Sequence, residues 1–192
     1  MKKPTYKHPD FVIKTEDRRI ENQNKRLWLS LQIDKDAPES LLIILKNPSR
    51  ATKDISDKTV FTISNYVHKN KDKYPEFKNV GKLIIANLIP FYETYSYQLA
   101  TSDLKLFDKD NGDTLSELTS KHNNVIIAWG NHPRGLKKEY EILKQSAFDI
   151  LQANNNNVFY VDKLTKSGNP KHGQVWGYQN ELIKYSFDGT IK

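Results

Sequence analysis

The amino-acid sequence predicts an α/β fold in which helices flank a central, mostly parallel sheet of four strands. Four short apolar runs lie at residues 41–45, 81–87, 125–130 and 158–161. Such runs, bounded by turn-forming residues, are typical of strands that are buried on both faces of a parallel sheet. Segments with helical spacing separate them, and this alternation favours right-handed crossovers between the strands.

Two further patterns lie on the N-terminal side of these strands. Residues 27–33 place apolar side chains at alternate positions, which is typical of a strand with one face better buried than the other. The segment 1–23 is polar, mixed in charge and weakly patterned. We interpret it as an N-terminal arm or edge element.

Three helices are predicted between the strands. The first covers residues 60–67, with Asp57 or Ser56 as its N-cap, and the second is a short helix at 115–121. The third is entered through the segment 131–133, where Asn131 and Pro133 lie. Its apolar stripe has a period near 3.6 and consists of Leu136, Tyr140, Leu143, Ala147 and Ile150.

Length and composition limit the classes of protein to consider. The chain has 192 residues, which predicts one domain over 1–192, and we expect a monomer. The net charge of +7 is typical of proteins that meet a polyanion. Cysteine is absent, which excludes disulfides, thiolate nucleophiles and Cys-ligated metal centres, and the histidines lack metal-ligand spacing. No metal, cofactor or membrane segment is therefore predicted, and we expect a soluble, cytoplasmic protein.

Polar residues follow the apolar runs, where an α/β sheet binds its ligands. The candidate positions are 47–49, 87–88, 129–132 and 164–176. They lack the paired carboxylates of ordinary glycosidases, the Gly-x-Ser-x-Gly elbow and the Walker or Rossmann glycines. Asparagine amides with one imidazole suit recognition of a planar ring that carries amide groups, because an amide donates and accepts at once. A nucleobase is a plausible ligand.

Four motifs carry a family resemblance: NPSRATKD, ANLIPFYETYS, AWGNHP and LTKSGNPKHG. Together they resemble the uracil-DNA glycosylase superfamily, and within it a small bacterial and mobile-element branch with the pattern N-P-S-T-A…N-L…W-G…T-K-x-G-x-P-x-H. The resemblance spans about residues 25 to 178. It implies the three-layer uracil-DNA-glycosylase-like fold and a monofunctional DNA glycosylase for base-excision repair. Such an enzyme flips uracil out of DNA and hydrolyses its N-glycosidic bond.

The resemblance implies roles for residues in the pocket. Asn47 would hold the water that attacks C1′, and His172 would donate a hydrogen bond to the O2 oxygen of the base. Asn87 would read the edge of uracil. Because an Asn cannot supply the charge of the Asp found in the strict uracil branch, turnover should be slower and depend more on leaving-group stabilisation. Ser49 replaces the bulky Tyr that excludes the thymine methyl group, so the base preference stays open.

The resemblance also implies contacts with DNA. Trp176, four residues after His172, would insert into the duplex, and Phe61 or Phe91 would stack on the flipped base. Basic side chains on the cleft side would follow the phosphates, and the candidates are Arg50, Lys166 and Lys171. Gly173 stands where the family has Pro. The implied partners are uracil-containing single- or double-stranded DNA and a protein inhibitor that mimics DNA.

Other interpretations remain open at this point. An Asn-Pro pair after a strand is ordinary turn chemistry, Asn87 could cap a strand end, and a lone His in a polar loop is often only solvated. One alternative function is a non-catalytic DNA- or partner-binding member of the same fold, which would be an inactive homologue. Another is an enzyme that acts on free nucleosides or nucleotides.

Overall fold

The computed structural model describes residues 6–92 and 107–187. The first five residues of the predicted arm and the last four of the ANLIPFYETYS motif lie outside this part of the chain. The strands are β1 (Lys14–Ile20), β2 (Lys25–Gln32), β3 (Glu39–Leu45), β4 (Val80–Asn87), β5 (Asn124–Ile127), β6 (Asn157–Val161) and β7 (Leu182–Lys184). The helices are α1 (Lys58–Lys69), α2 (Pro75–Lys78), α3 (Lys109–Lys121) and α4 (Lys137–Ala153).

The strands form one mixed sheet in the order β1-β2-β4-β3-β5-β6-β7. The pairs β3–β4, β3–β5 and β5–β6 are parallel, and the pairs β1–β2, β2–β4 and β6–β7 are antiparallel. The predicted α/β class is confirmed. The predicted sheet was too small and too parallel, because seven strands pair in the described residues and half of the pairings are antiparallel.

The strands that the prediction of a four-stranded sheet left out lie at or near the sheet edges. β1 has the sequence KTEDRRI, with five charged residues, and none of its side chains is fully buried. Charged side chains are common on edge strands because they discourage pairing with other chains. An apolar pattern therefore cannot reveal such a strand. β1 lies within the segment that was interpreted as an arm or edge element.

Helices cover both faces of the sheet, which gives three layers. In β3, Leu41, Ile43 and Leu45 belong to the buried cluster that contains α1, whereas Leu42 and Ile44 belong to the cluster that contains α3 and α4. Alternate side chains of a strand point to opposite faces, so both faces of β3 are buried. This burial explains its continuous apolar sequence.

The helix boundaries depart from the sequence prediction at two places. Asp57 is the N-cap of α1, since its Oδ1 accepts a hydrogen bond from the Val60 N–H at 3.0 Å. Helix α3 begins at Lys109, earlier than predicted, because Asp108 caps it and accepts from the N–H of Asn111 at 2.9 Å. Helix α4 begins at Lys137, so the predicted entry at 131–133 was wrong and that segment is a loop.

No helix in residues 6–92 and 107–187 combines the length and the apolar character that crossing a membrane requires.

Two glycines offer a matched test of the packing at the start of β4. A Cβ on Gly81 would lie 2.1 Å from the Ala37 carbonyl oxygen and 2.5 Å from that of Asp34, whereas a Cβ on Gly112 in α3 would meet nothing within 4 Å. We expect Gly81→Ala to lower the free energy of unfolding by about 2–3 kcal/mol through overpacking. Gly112→Ala should raise it by about 0.5–1 kcal/mol through helix propensity. Urea unfolding of both variants measures this, and equal effects would contradict the close backbone approach at Gly81.

Candidate functional site

The ends of β3 and β4 lie side by side at the carboxyl edge of their parallel pair. The backbone N–H groups of Leu88 and Ile89 donate to the carbonyls of the two residues that precede Asn47, at 2.9 Å each. The segment that carries Asn47 is therefore tied to the segment that carries Asn87. Two of the predicted site residues are brought together by backbone hydrogen bonds alone.

Asn87 is a fully buried amide at this edge. Its relative exposure is 0%, and neither Oδ1 nor Nδ2 has a hydrogen-bond partner within the described residues. Leu83 and Ile85 belong to the cluster on the α1 side, so the alternation of β4 directs Asn87 to the same side. A buried amide without partners costs about 1–3 kcal/mol, so this position favours a ligand over a structural cap.

The Asn47 loop is fixed by the buried Arg26 and the partly buried Asp57, which sequence reasoning did not assign to the site. Arg26 donates from Nη1 to the Ala51 carbonyl at 2.6 Å, and Asp57 accepts from the Ala51 N–H through Oδ2 at 3.2 Å. The Ala51 peptide is thus held from both sides. Asn47 itself is partly buried, and its Nδ2 donates to the carbonyl of the following proline at 3.2 Å.

Ser49 follows in the same loop. Its Oγ is buried and has no hydrogen-bond partner among the residues described. The next residue, Arg50, is exposed.

His172 lies between the loop after β5 and helix α1. The Gly130 N–H donates to the Pro170 carbonyl at 3.0 Å, and a Cβ on Gly130 would come within 3.1 Å of the His172 Cβ. Gly130 also has φ +68°, in the left-handed region that glycine favours. A Cβ on Gly173 would lie 2.5 Å from the Cδ1 of Ile63 in α1, so the residue after His172 must be small. This contact accounts for the glycine at position 173.

Burial and charge keep the His172 imidazole neutral. Desolvation and, to a smaller extent, the positive charge of Lys46 lower its pKa to about 4, and the negative charge of Asp57 acts in the opposite direction. The Nδ1 of His172 accepts a hydrogen bond from the Gln174 N–H at 3.2 Å. In a neutral imidazole the other nitrogen then carries the hydrogen. His172 therefore presents Nε2–H as a donor at neutral pH.

The loop before His172 is held by a network of amides. Asn131 accepts through Oδ1 from the Thr165 hydroxyl at 2.8 Å and from the Asn169 amide at 3.1 Å. Lys144 in α4 donates to the Asn169 Oδ1 at 2.6 Å. Asn169 and Lys144 are buried, at 3% and 8% exposure, whereas Asn131 is exposed, so the network runs from the surface into the protein. It fixes the approach of the chain to His172.

The predicted insertion of Trp176 into a duplex does not fit its packing. Trp176 is 5% exposed, lies 5.2 Å from the ring of Tyr66 between centroids, and donates from Nε1 to the Lys171 carbonyl at 3.2 Å. It is a core residue because leaving this position would expose its ring and break that hydrogen bond. Val175, which precedes it, is 64% exposed and is the apolar side chain that projects here.

The two stacking candidates lie on opposite sides of the sheet. Phe91 is 5% exposed and belongs to the cluster with α3 and α4. Phe61 lies on α1, partly buried, with its ring centroid 5.6 Å from that of Tyr6. Because Asn87 points toward the α1 side, Phe61 is on the side of the site and Phe91 is not.

The basic candidates differ in their surroundings. Arg50 and Lys166 have exposed side chains. Lys171 forms an ion pair with Asp162, and this lysine lowers the pKa of the aspartate. A phosphate would compete with that carboxylate for Lys171. Within the described ranges no group of three or more His, Asp or Glu side chains is placed to hold a metal ion.

Residues 25–173 match the family described as a protein of unknown function, DUF1643. The chain belongs to the DUF1643 family. No curated protein and no solved structure matches it. The DUF1643 match runs from the first residue of β2 to Gly173, so Asn47, Asn87 and His172 all lie inside the family region. The β7 strand and Trp176 lie outside it.

Sequence reasoning missed four residues around the site of this DUF1643 protein. Arg26 directly precedes the predicted strand at 27–33, Lys144 lies within the predicted third helix, Asp57 was considered only as a helix cap, and Lys46 follows the run at 41–45 and received no role. A charged residue beside or inside an apolar pattern was the available signal. Such a residue is buried at a cost unless it has a partner or a function.

The Asn87 amide gives a stability prediction. Asn87→Leu removes two unpaired polar atoms at similar size, so we expect the free energy of unfolding to rise by about 1–2 kcal/mol. Asn111 is the matched control, because its Nδ2 donates to the carbonyls of Asn87 and Leu88 at 3.0 and 3.1 Å. Asn111→Leu should lower the free energy of unfolding by about 1–3 kcal/mol. Urea unfolding measures both, and destabilisation by Asn87→Leu would contradict a ligand-facing amide.

The lowered pKa of His172 gives a pH prediction. Between the ordinary pKa near 6.5 and the folded value of about 4, the unfolded chain binds the proton and the folded chain does not. The stability of the folded state is therefore full above pH 6.5 and falls as the pH drops toward 4. The loss from this residue is at most about 3 kcal/mol, and less to the extent that solvent reaches the ring. His172→Gln should unfold with a weaker dependence on pH over this range, and an unchanged dependence would contradict the neutral imidazole.

Proposed function

We propose that this protein is a DNA glycosylase that removes uracil-type bases by hydrolysis of the N-glycosidic bond after base flipping. The observation that carries the proposal is the Asn87 amide, which is fully buried and without partners at the edge where parallel strands end. A donor and an acceptor held side by side match the N3–H and O4 of uracil. The family resemblance of the motifs around Asn47, Asn87 and His172 supports the same function.

In this proposal His172 stabilises the departing base. When the bond between C1′ and N1 breaks, the electron pair leaves with the base and negative charge develops on O2. The Nε2–H of His172 donates to that oxygen. The low pKa supports this role, because a neutral imidazole donates without first having to be protonated at neutral pH.

Asn47 orients the water in this proposal. The water oxygen forms the new bond to C1′ and its proton passes to solvent, since an amide is not a base. The held peptide of Ala51 supports this assignment, because it fixes the loop from which Asn47 projects. The site would then depend on orientation and leaving-group stabilisation more than on proton abstraction.

DNA is the proposed partner, in single- or double-stranded form. The exposed Arg50 and Lys166 would contact phosphates, Val175 replaces Trp176 as the side chain for insertion, and Phe61 is the stacking candidate.

The finer fold assignment, a uracil-DNA-glycosylase-like arrangement, is part of the proposal. Helices on both faces and parallel pairing of the central strands support it. A DNA-mimicking protein inhibitor and a cytoplasmic location belong to the same proposal.

The test is an oligonucleotide with one uracil, incubated with the protein and then cleaved with alkali at the abasic site. We expect release of uracil, a loss of about 100- to 1000-fold for His172→Gln, and a marked loss for Asn47→Ala. The matched controls are His68→Gln and Asn79→Ala, which change exposed residues outside the site. A second oligonucleotide with thymine opposite guanine measures whether Ser49 admits the methyl group.

Two outcomes would favour the other functions. Salt-dependent DNA binding without base release, even with protein in excess, would indicate the non-catalytic member of the fold. Hydrolysis of 2′-deoxyuridine or its 5′-phosphate, with weak DNA binding, would indicate an enzyme of free nucleosides or nucleotides. Either result would contradict the glycosylase proposal.

A further inference from the structure

Arg26 lies at the start of β2, beside the two loops that form the candidate site. Its backbone N–H donates to the Pro90 carbonyl at 2.9 Å, and its Nη1 donates to the Ala51 carbonyl at 2.6 Å, in the Asn47 loop. Ala51 belongs to the buried cluster on the α1 side of the sheet, and the alternation of β4 directs Asn87 to that side. The Arg26 guanidinium group therefore lies on the side of the candidate site.

One edge of this guanidinium group is buried without partners. Arg26 is 0% exposed, and neither Nε nor Nη2 has a hydrogen-bond partner in the part of the chain that the structure describes. These two nitrogens donate in parallel, which is the arrangement that binds two oxygens of an anion. Arg19 lies opposite Arg26 in β1 and uses the same two nitrogens to bind the Asp17 carboxylate, with Nε at 2.8 Å. The edge that holds an anion in Arg19 holds none in Arg26.

Two carboxylates near Arg26 are engaged by other donors. Asp17 accepts from Arg19 and from a backbone N–H at 3.1 Å. Asp57 accepts through its two carboxylate oxygens from backbone N–H groups, at 3.0 and 3.2 Å. Neither carboxylate binds the free edge of Arg26 within residues 6–92 and 107–187. A buried charge is normally paired by direct contact, so the free edge is suited to an anion from outside the protein.

Tyr92 brings a hydroxyl group beside Arg26. The Tyr92 ring centroid lies 5.7 Å from the Cζ of Arg26 and 5.9 Å from that of Arg19. The Tyr92 hydroxyl is buried and has no hydrogen-bond partner among the described residues. Burial raises the pKa of Tyr92, and the positive charges of Arg26 and Arg19 act in the opposite direction. Two parallel N–H groups and one hydroxyl thus lie near each other without acceptors.

We propose that Arg26 and Tyr92 form a phosphate-binding subsite next to the base site of Asn87. This inference rests on the proposed function, because the phosphate belongs to the nucleotide whose base Asn87 reads. A phosphate offers two oxygens to the guanidinium edge and has further lone pairs for the hydroxyl. Two sources supply this group: the DNA backbone beside the flipped nucleotide, and the 5′ end of a free nucleotide. The subsite binds and orients the nucleotide and forms no bond to it.

The first test measures whether Arg26 and one DNA phosphate act as a pair. The oligonucleotides hold one 2′-fluoro-2′-deoxyuridine, whose fluorine disfavours positive charge on the sugar and so suppresses cleavage. A neutral methylphosphonate replaces the phosphate on the 5′ or the 3′ side of this nucleotide. We expect one replacement to weaken binding to the unaltered protein by about 10- to 100-fold, and to weaken binding to Arg26→Met by less than about 3-fold.

The second test uses free ligands and identifies the source of the phosphate. It compares the affinities for 2′-deoxyuridine 5′-phosphate and for 2′-deoxyuridine by calorimetry. A preference of about 10-fold or more for the nucleotide, lost in Arg26→Met, would assign the subsite to a free nucleotide. An effect of Arg26→Met that is confined to the oligonucleotides would assign the subsite to the DNA backbone. Either result supports the subsite.

Tyr92→Phe keeps these tests decisive if Arg26→Met fails to fold through loss of its bond to Ala51. This variant removes only the unpartnered hydroxyl, and it should reduce the effect of the phosphate by about 3- to 10-fold. Arg18→Met is the matched control for loss of one positive charge, since Arg18 is an exposed residue of β1. It should leave the effect of the phosphate unchanged.

Other results would overturn the subsite. An effect of the phosphate that is absent, or that is equal in the unaltered protein, Arg26→Met and Tyr92→Phe, would leave Arg26 only as a support of the Asn47 loop. Failure of the unaltered protein to bind any of these ligands would overturn it as well. Release of uracil is measured separately. An Arg26-dependent phosphate effect without release means that the proposed function fails and the subsite stands, whereas release without such an effect refutes only the subsite.

Discussion

The parallel pairing of β3 with β4 is the constraint on which the candidate site depends. Leu45 and Asn87 are partners in this register, so the loop after one strand and the amide at the end of the other meet at a single edge. A slip by one residue would turn Asn87 to the side of α3 and α4, away from His172. The apolar side chains of both strands oppose such a slip, because they pack alternately into the two buried clusters on opposite faces of the sheet. Core packing and site geometry are therefore set by the same hydrogen bonds.

The polar and charged side chains around this edge fall into two groups. Arg26 and Asp57 act on the backbone, through the Ala51 peptide, and Lys144 acts on Asn169 in the loop before His172. The groups at the candidate site are different in kind: two amides, a hydroxyl and a neutral imidazole. None of these groups is charged, which suits the departing base of the proposed reaction.

The sequence predicted the strands whose continuous apolar pattern arises from burial on both faces of the sheet. Strands without such a pattern were harder to predict. β3 and β4 were found because neither face of either strand meets solvent. β1 was anticipated only as part of an arm or edge element, and β7 was missed, because a charged edge strand and a three-residue strand leave no apolar signal. Asn87 and His172 were found from their motifs, and the structure adds what a motif cannot give: the absence of partners around the amide in the described residues, and the tautomer of the imidazole. The role of Trp176 could not be judged from its spacing, since a wedge and a core residue are both large and apolar.

The unpartnered amide of Asn87 links stability with function. It keeps two polar atoms away from water without protein partners in the described part of the chain, so it makes the folded state less stable than an apolar residue would. A structural role does not account for this, because a cap would satisfy the atoms concerned. A ligand that offers an amide edge satisfies both atoms at once. The proposed nucleobase has such an edge, whereas a phosphate or an apolar ligand does not.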